Sequence, residues 1–171
     1  MKLLFTILLI PMLAIEAQEP IISNFQLTDR QVSWQKEFVF EEGTQDRIIN
    51  EFTKQIIIKK GGGDLILLQN ILSFKVDNDI VDFRKYGETL TSTMTFLQFP
   101  INYQVVVEFQ KNSYKIKVMN IRATTNESNT GFSTFDILIT RKQRSIFAKS
   151  KLIQRNLNLL NSYFIDKFSL K

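Results

Sequence analysis

The sequence predicts an α+β domain in which two helices pack on one face of an antiparallel sheet, and three observations predict it. Ile101, Tyr103, Val105, Val107 and Phe109 alternate strictly, and after a short polar break Tyr114, Ile116 and Val118 alternate back, which is a hairpin with one buried face. Two apolar stripes stand at helical spacing, one early in the chain and one at its end. The chain has 171 residues, 44% of them hydrophobic and 15 of them Phe, which is enough for one core. The expected order is β-α-β-β-β-β-α, a two-layer sandwich.

The first 17 residues read as a secretory signal peptide. Met1 and Lys2 supply a positive start, Leu3 to Leu13 is almost wholly apolar, and Ile15-Glu16-Ala17 offers a cleavage site after Ala17. The apolar run is too short to cross a bilayer, is interrupted by Pro11 and has no second hydrophobic span downstream. The expected mature protein is residues 18–171, one α+β domain without a transmembrane segment. With no cysteine for lipid attachment, it is expected in the periplasm or released.

Phe25 and Leu27 form an apolar pair, Thr28-Asp29-Arg30 a turn, and Val32, Trp34, Phe38 and Phe40 a strand of period two. Lys36 falls on the same face, so either its stem lies along the sheet edge or the strand bulges there. Thr44 is placed as N-cap of a helix, with Asp46 in the first turn and Ile48, Ile49, Phe52 and Ile56 as its stripe. That helix is expected to end near Lys59-Lys60, before the triple glycine Gly61 to Gly63.

Leu65 to Val76 reads as two short strands or one bent strand, with a bend at Gln69-Asn70. Asp77-Asn78-Asp79 reads as a turn and Ile80 to Ser92 as a loop. Lys111-Asn112-Ser113 turns the hairpin, Thr124 to Gly131 is a polar loop, and Phe135, Ile137 and Ile139 read as a last strand. Ile146, Ile153, Leu157, Leu160, Phe164 and Phe168 make the stripe of a closing helix over about residues 145–168.

Neither cysteine nor histidine occurs in the chain. Thiol nucleophiles, Ser/His/Asp triads, imidazole or thiolate metal sites and disulfides are thereby excluded. An exported domain without disulfides rests on its core alone, which points to bacterial export. The net charge is +5, and removing Lys2 and Glu16 with the leader leaves it unchanged. This is a mild bias toward anionic partners.

Arg141-Lys142-Gln143-Arg144, followed by Lys149, Lys151 and Arg155, is the densest basic run and is expected at the start of the closing helix. It reads either as the solvated face of that helix or as a patch for lipid headgroups, acidic glycans or a partner's acidic surface. Lys59-Lys60-Gly61-Gly62-Gly63-Asp64 lacks the spacing of a phosphate loop and reads as a connection. Asp77, Asp79 and Asp82 lack the glycine and closing glutamate of a calcium loop. No metal or cofactor is expected. Asn126-Glu127-Ser128 matches a glycosylation sequon.

The leader ending near Ala17, the early strand with Trp34 and Phe38, the helix after it, the Tyr103 to Val118 hairpin and the closing helix together resemble a known group. These are the exported bacterial proteins of unknown function that have a fold like the TATA-binding protein (TBP). The resemblance covers Phe25 to the C-terminus and implies the β-α-β-β-β-β-α unit. It brings no activity and no functional residues, and a TBP-like fold does not imply nucleic-acid binding. The leading expectation is therefore a non-enzymatic envelope module that binds another macromolecule, a protein or an anionic envelope surface, with oligomeric state open. A small-ligand carrier with an aromatic-lined cavity stands second, and an enzyme using carboxylate or lysine chemistry third. Gln104, Val106 and Glu108 mark a sheet face expected to be exposed.

Overall fold

The computed structural model describes residues 21–40, 44–58, 63–124 and 133–170. The expected leader, the Lys59-Lys60 helix end with Gly61 and Gly62, and the sequon lie outside the described residues. Strands β1 (Ile21–Ile22), β2 (Phe25–Thr28) and β3 (Gln31–Val39) lead into helix α1 (Gln45–Phe52). Four strands follow: β4 (Gly63–Leu68), β5 (Ile71–Asp79), β6 (Ile101–Phe109) and β7 (Ser113–Ala123). A small excursion of β8 (Ser133–Thr134), α2 (Phe135–Ile139), β9 (Thr140–Arg141) and β10 (Ile146–Phe147) precedes the closing helix α3 (Lys151–Phe168).

The main sheet runs β1-β2-β3-β7-β6-β5-β4, with β8 beside the end of β7, and every neighbouring pair is antiparallel. The expected β-α-β-β-β-β-α unit is β3, α1, β4 to β7 and α3. Both long helices lie on one face, because each fills the space above aromatic side chains of the same sheet layer. Phe164 of α3 packs on Trp34 of β3 at 5.3 Å and on Tyr103 of β6 at 5.4 Å, and Phe52 of α1 meets Tyr114 of β7 at 5.5 Å. These rings are buried on the inner layer. Tilted and edge-on contacts of this kind add to what area burial alone contributes.

Three one-residue bulges shape the sheet, each at a short polar residue with left-handed backbone. In β4, β5 and β7 the register slips by one residue beside Asp64 (φ 50), Asn78 (φ 55) and Asn120 (φ 56). Asp and Asn tolerate this region better than other side chains. The slip reverses which residues face inward. After Asn78, Asp79 stands opposite the buried Ile101, and after Asn120, Ile121 and Ala123 continue the buried row. Asp77-Asn78-Asp79 is therefore a bulged strand end, and the expected turn there is corrected.

Other local expectations meet the structure as follows. The Leu65 to Val76 region forms two strands, with Gln69 (φ 53) in the turn between them. Lys36 sits opposite Ile116 in an unbroken register, so its stem lies along the edge that β3 exposes beyond β2, with the ammonium 5.9 Å from the Phe38 ring. Thr44 occupies the N-cap position of α1 with extended backbone but makes no side-chain cap bond. Helix α1 runs on into a wider π turn over Thr53–Ile58, which buries the adjacent Ile56 and Ile57 together.

Phe135, Ile137 and Ile139 do not form a strand. The segment is the helical turn α2, with Phe135 and Ile139 buried four residues apart and Ile137 exposed. Three apolar residues alternating over five positions fit both periods, and the contact of Phe135 with Phe25 and Phe96 selects the helix. Ile146 likewise belongs to β10, and α3 begins after Ser150.

Candidate functional site

The sheet has two unlike faces. The inner one carries the helices; across the outer one no described helix or strand packs. Reading across the central strands, one row runs Gln35, Lys117, Val106, Ser73 and Ile66, and the next Glu37, Lys115, Glu108, Ile71 and Leu68. None of these ten side chains is buried. Gln104, Val106 and Glu108 point outward, as the alternation of β6 predicts. The face is mixed in charge at its centre and apolar toward β4. At the β2–β3 corner a recess of about 150 Å³ is lined by Thr28, Asp29, Gln31, Val32, Ser33, Lys117 and Met119.

The basic run is laid out differently from the expectation. Arg141 lies in β9, and Lys142, Gln143 and Arg144 form the tip of the β9–β10 hairpin, all three with left-handed backbone (φ 49, 57 and 65). Lys149 is in the connection and Lys151 opens α3. Placing all of these at the start of the last helix is corrected: Ile146 and Phe147 pair back on Arg141 and Thr140, so the segment folds as a ribbon. Arg141, Lys142, Arg144, Lys149 and Lys151 are exposed. Arg155, one turn into α3, is committed to Glu88 at 2.7 Å. The Arg155 guanidinium and the Ser92 hydroxyl hold the Glu88 carboxyl below its ordinary pKa.

A polar cluster that sequence reasoning missed lies between β5, β6 and α3. The bulge at Asn78 turns Asp79 inward, where its carboxylate accepts hydrogen bonds from Tyr103 Oη at 2.5 Å and Tyr163 Oη at 2.7 Å. Lys167 Nζ lies 2.7 Å from Asp79 Oδ1 and within 6 Å of both phenol rings. Burial pushes Lys167 below its ordinary value, opposed by the Asp79 charge, and pushes the Tyr103 and Tyr163 phenols well up. An open cleft of about 310 Å³ borders the cluster, lined also by Lys85, Tyr86 and Asp166. Lys85 donates to Asp166 at 2.7 Å and Tyr86 to the same oxygen at 3.1 Å. Ionisable groups here answer one another, so the arrangement ties α3 to the sheet end. The sequence signal was Lys167 itself, a charge between Phe164 and Phe168 on the buried arc of the helix. Asp77 and Asp82 are exposed and do not join Asp79, and among the described residues no acidic group is arranged to hold a metal.

Trp34, Phe52, Phe164 and Phe168 are buried and packed against other aromatic rings, while a separate, mostly apolar recess of about 480 Å³ is lined by Ile22, Ile146, Phe147, Ala148, Lys149 and Gln154. Among the described residues no helix is long and apolar enough to cross a membrane.

No family model matches the sequence, and no curated protein matches it. Among solved structures, a TBP-like protein from Parabacteroides distasonis is 15% identical with a TM-score of 0.47, covering 82% of this chain and 92% of that one. A DUF4468 family protein from Bacteroides ovatus is 16% identical with a TM-score of 0.50, covering 81% of this chain and 85% of that one. At such identity a likeness speaks for the fold and leaves activity aside. The strand order and the second likeness together give this chain an α+β fold like that of the DUF4468 family protein, an antiparallel sheet with helices packed on it.

Proposed function

We propose that the chain is an exported, non-enzymatic module of the cell envelope that binds another macromolecule through the outer face of its sheet. One observation carries this reading: the width of the central sheet is left uncovered by described elements, while the opposite face carries α1 and α3. Antiparallel sheets commonly leave one face to water. Here that face joins apolar Val106, Met119 and Ile71 to Lys115, Lys117, Glu37 and Glu108, and a recess at its corner is large enough for one side chain. Interfaces of modest affinity have this mixture.

A photo-crosslinking residue at Val106, with one at Asp46 of α1 as control, tests the reading in the native envelope. A specific adduct from position 106 alone supports it; equal labelling or none from both positions rejects it. Export itself is read in the same experiment by the mass of the chain, which should begin at Gln18.

The β9–β10 tip offers a second contact, with an anionic envelope surface, because five basic groups in and beside it are exposed. Sedimentation with vesicles containing an anionic lipid, compared for the parent and the Lys142→Glu/Arg144→Glu pair, tests it. Loss of binding in the pair supports the contact, and unchanged binding removes it.

A further inference from the structure

The two edges of the sheet are unlike. At one end stands β1, two residues long and preceded in sequence by Pro20, which has no N–H to offer a neighbour. Where β3 runs past β2 its free side carries Lys36 and Glu37, charges that discourage strand addition. The other end is β4, Gly63–Leu68, with the sequence GDLILL. Leu65, Ile66, Leu67 and Leu68 remain 48%, 58%, 47% and 69% exposed, and Ile71 beside them 45%. The bulge and the charge at Asp64 guard only the start of this strand, and from Leu65 to Leu68 four successive large apolar residues stand on an edge that no described element covers.

We propose that β4 pairs antiparallel with β4 of a second copy of this chain, joining two sheets into one across a two-fold axis at Leu67. The sequence is self-complementary in that register. Leu67 meets Leu67 on the helix side and Ile66 meets Leu68 on the outer side in both directions, while Leu65, beside the bulge, falls opposite Gln69 of the turn. Asp64 falls opposite Asn70 in the turn, so neither carboxylate is set against an apolar side chain. Centring the axis on Ile66 instead would place Asp64 opposite Leu68. An axis of this kind leaves the helices of both copies on the same side and makes the outer face twice as wide.

Leu65 to Leu68 leave on the order of 400 Å² of each copy in water, the upper limit of what strand pairing there can cover, which places the contact among the small interfaces. Because the far edge is blunted, the pairing closes at two copies and does not propagate as a fibre. The dimer stands apart from the outer-face reading, since neither needs the other.

Sedimentation equilibrium of the chain purified from the cells that make it, over a concentration series, is expected to approach twice the chain mass. Leu68→Lys, at the most exposed of the four positions, is expected to return it to the monomer with its circular dichroism unchanged. The register is read with single cysteines, which are unambiguous in a chain that has none. Leu67→Cys should form an intermolecular disulfide on mild oxidation, and Leu65→Cys, far from its own copy in this register, should not. A monomer at every concentration overturns the proposal, as does a dimer that Leu68→Lys leaves intact. A disulfide between the Leu67→Cys variant and a different polypeptide also overturns it, in favour of a foreign strand on the same edge. Crosslinking from Val106 is read separately and is untouched by any of these results.

Discussion

Lys167 of α3 and Asp79 of β5 form an ion pair of 2.7 Å with side chains only 7% and 12% exposed, and two phenols complete the shell of the acid. Removing one member of such a pair leaves the other charge buried. Lys167→Met and Asp79→Leu are each expected to cost about 3–5 kcal/mol, whereas the double variant should cost less than the two added together. Urea denaturation of the four proteins closes the cycle. Additive losses would show that the two groups do not depend on each other.

Tyrosines give the fold an alkaline limit. Tyr114 Oη donates to the Phe168 carbonyl at 2.9 Å and accepts from Leu170 N–H at 3.0 Å, and burial pushes its pKa up to about 12. A folded value above the unfolded 10.0 means that the native state keeps the proton longer. The contribution of Tyr114 is thus complete below pH 10 and is lost as pH rises toward 12, and Tyr103 and Tyr163 act in the same direction. Lys167, lowered from 10.5, works oppositely as pH approaches that value. Tyr114→Phe should cost about 1–2 kcal/mol at neutral pH and flatten the fall above pH 10, as read from urea midpoints across that range.

Asp136 lies in the first turn of α2 and accepts the Val32 N–H at 2.9 Å. Burial raises its pKa above 3.8, while that hydrogen bond and the charges of Arg144 and Arg122 pull the other way. Its net effect on stability is therefore fully present below pH 3.8 and lost as pH rises through the folded value. Asp136→Asn keeps the acceptor without the charge and should be neutral to about 1 kcal/mol stabilising at pH 7. Asp136→Ala, which leaves the Val32 N–H unmatched, should cost about 1–2 kcal/mol. Denaturation midpoints at pH 7 decide between them, and a less stable Asn variant would show that the carboxylate charge is favourable.

Asn161 accepts from the indole N–H of Trp34 at 2.9 Å and from the Asn24 amide at 2.8 Å. Asn161→Ala should cost about 1–3 kcal/mol by leaving both donors without this acceptor. Trp34, the one tryptophan, is fully buried, so its fluorescence follows the unfolding transition directly.

Period-two runs such as Ile101 to Phe109 and the five-residue stripe from Ile153 to Phe168 were legible because length makes a period unambiguous. Phe135 to Ile139 was not, since five residues satisfy both periods until Ile137 is seen in water. The bulges escaped for a different reason: Asn78 and Asn120 carry the same signal as turn residues, and only the strand beside them tells a bulge from a turn. Because Asp79 turns inward by that bulge, its meeting with Lys167 had no local signature at all. The hairpin that carries Lys142 and Arg144 was hidden by Ile146, whose seven-residue distance from Ile153 mimics a helix.

Strand β3 pairs with β2 on one side, but on its other side its neighbour is β7, with Trp34 opposite Val118. A chain emerging N-terminus first must therefore hold β1 to β3 and α1 without their central partner until about two thirds of its length is available, and Trp34 waits longer still for Phe164 and Phe168 of α3. Contacts so distant in sequence slow folding and keep sticky surface uncovered meanwhile. For this protein the vulnerable interval lies in synthesis, when a passing chaperone has most to hold.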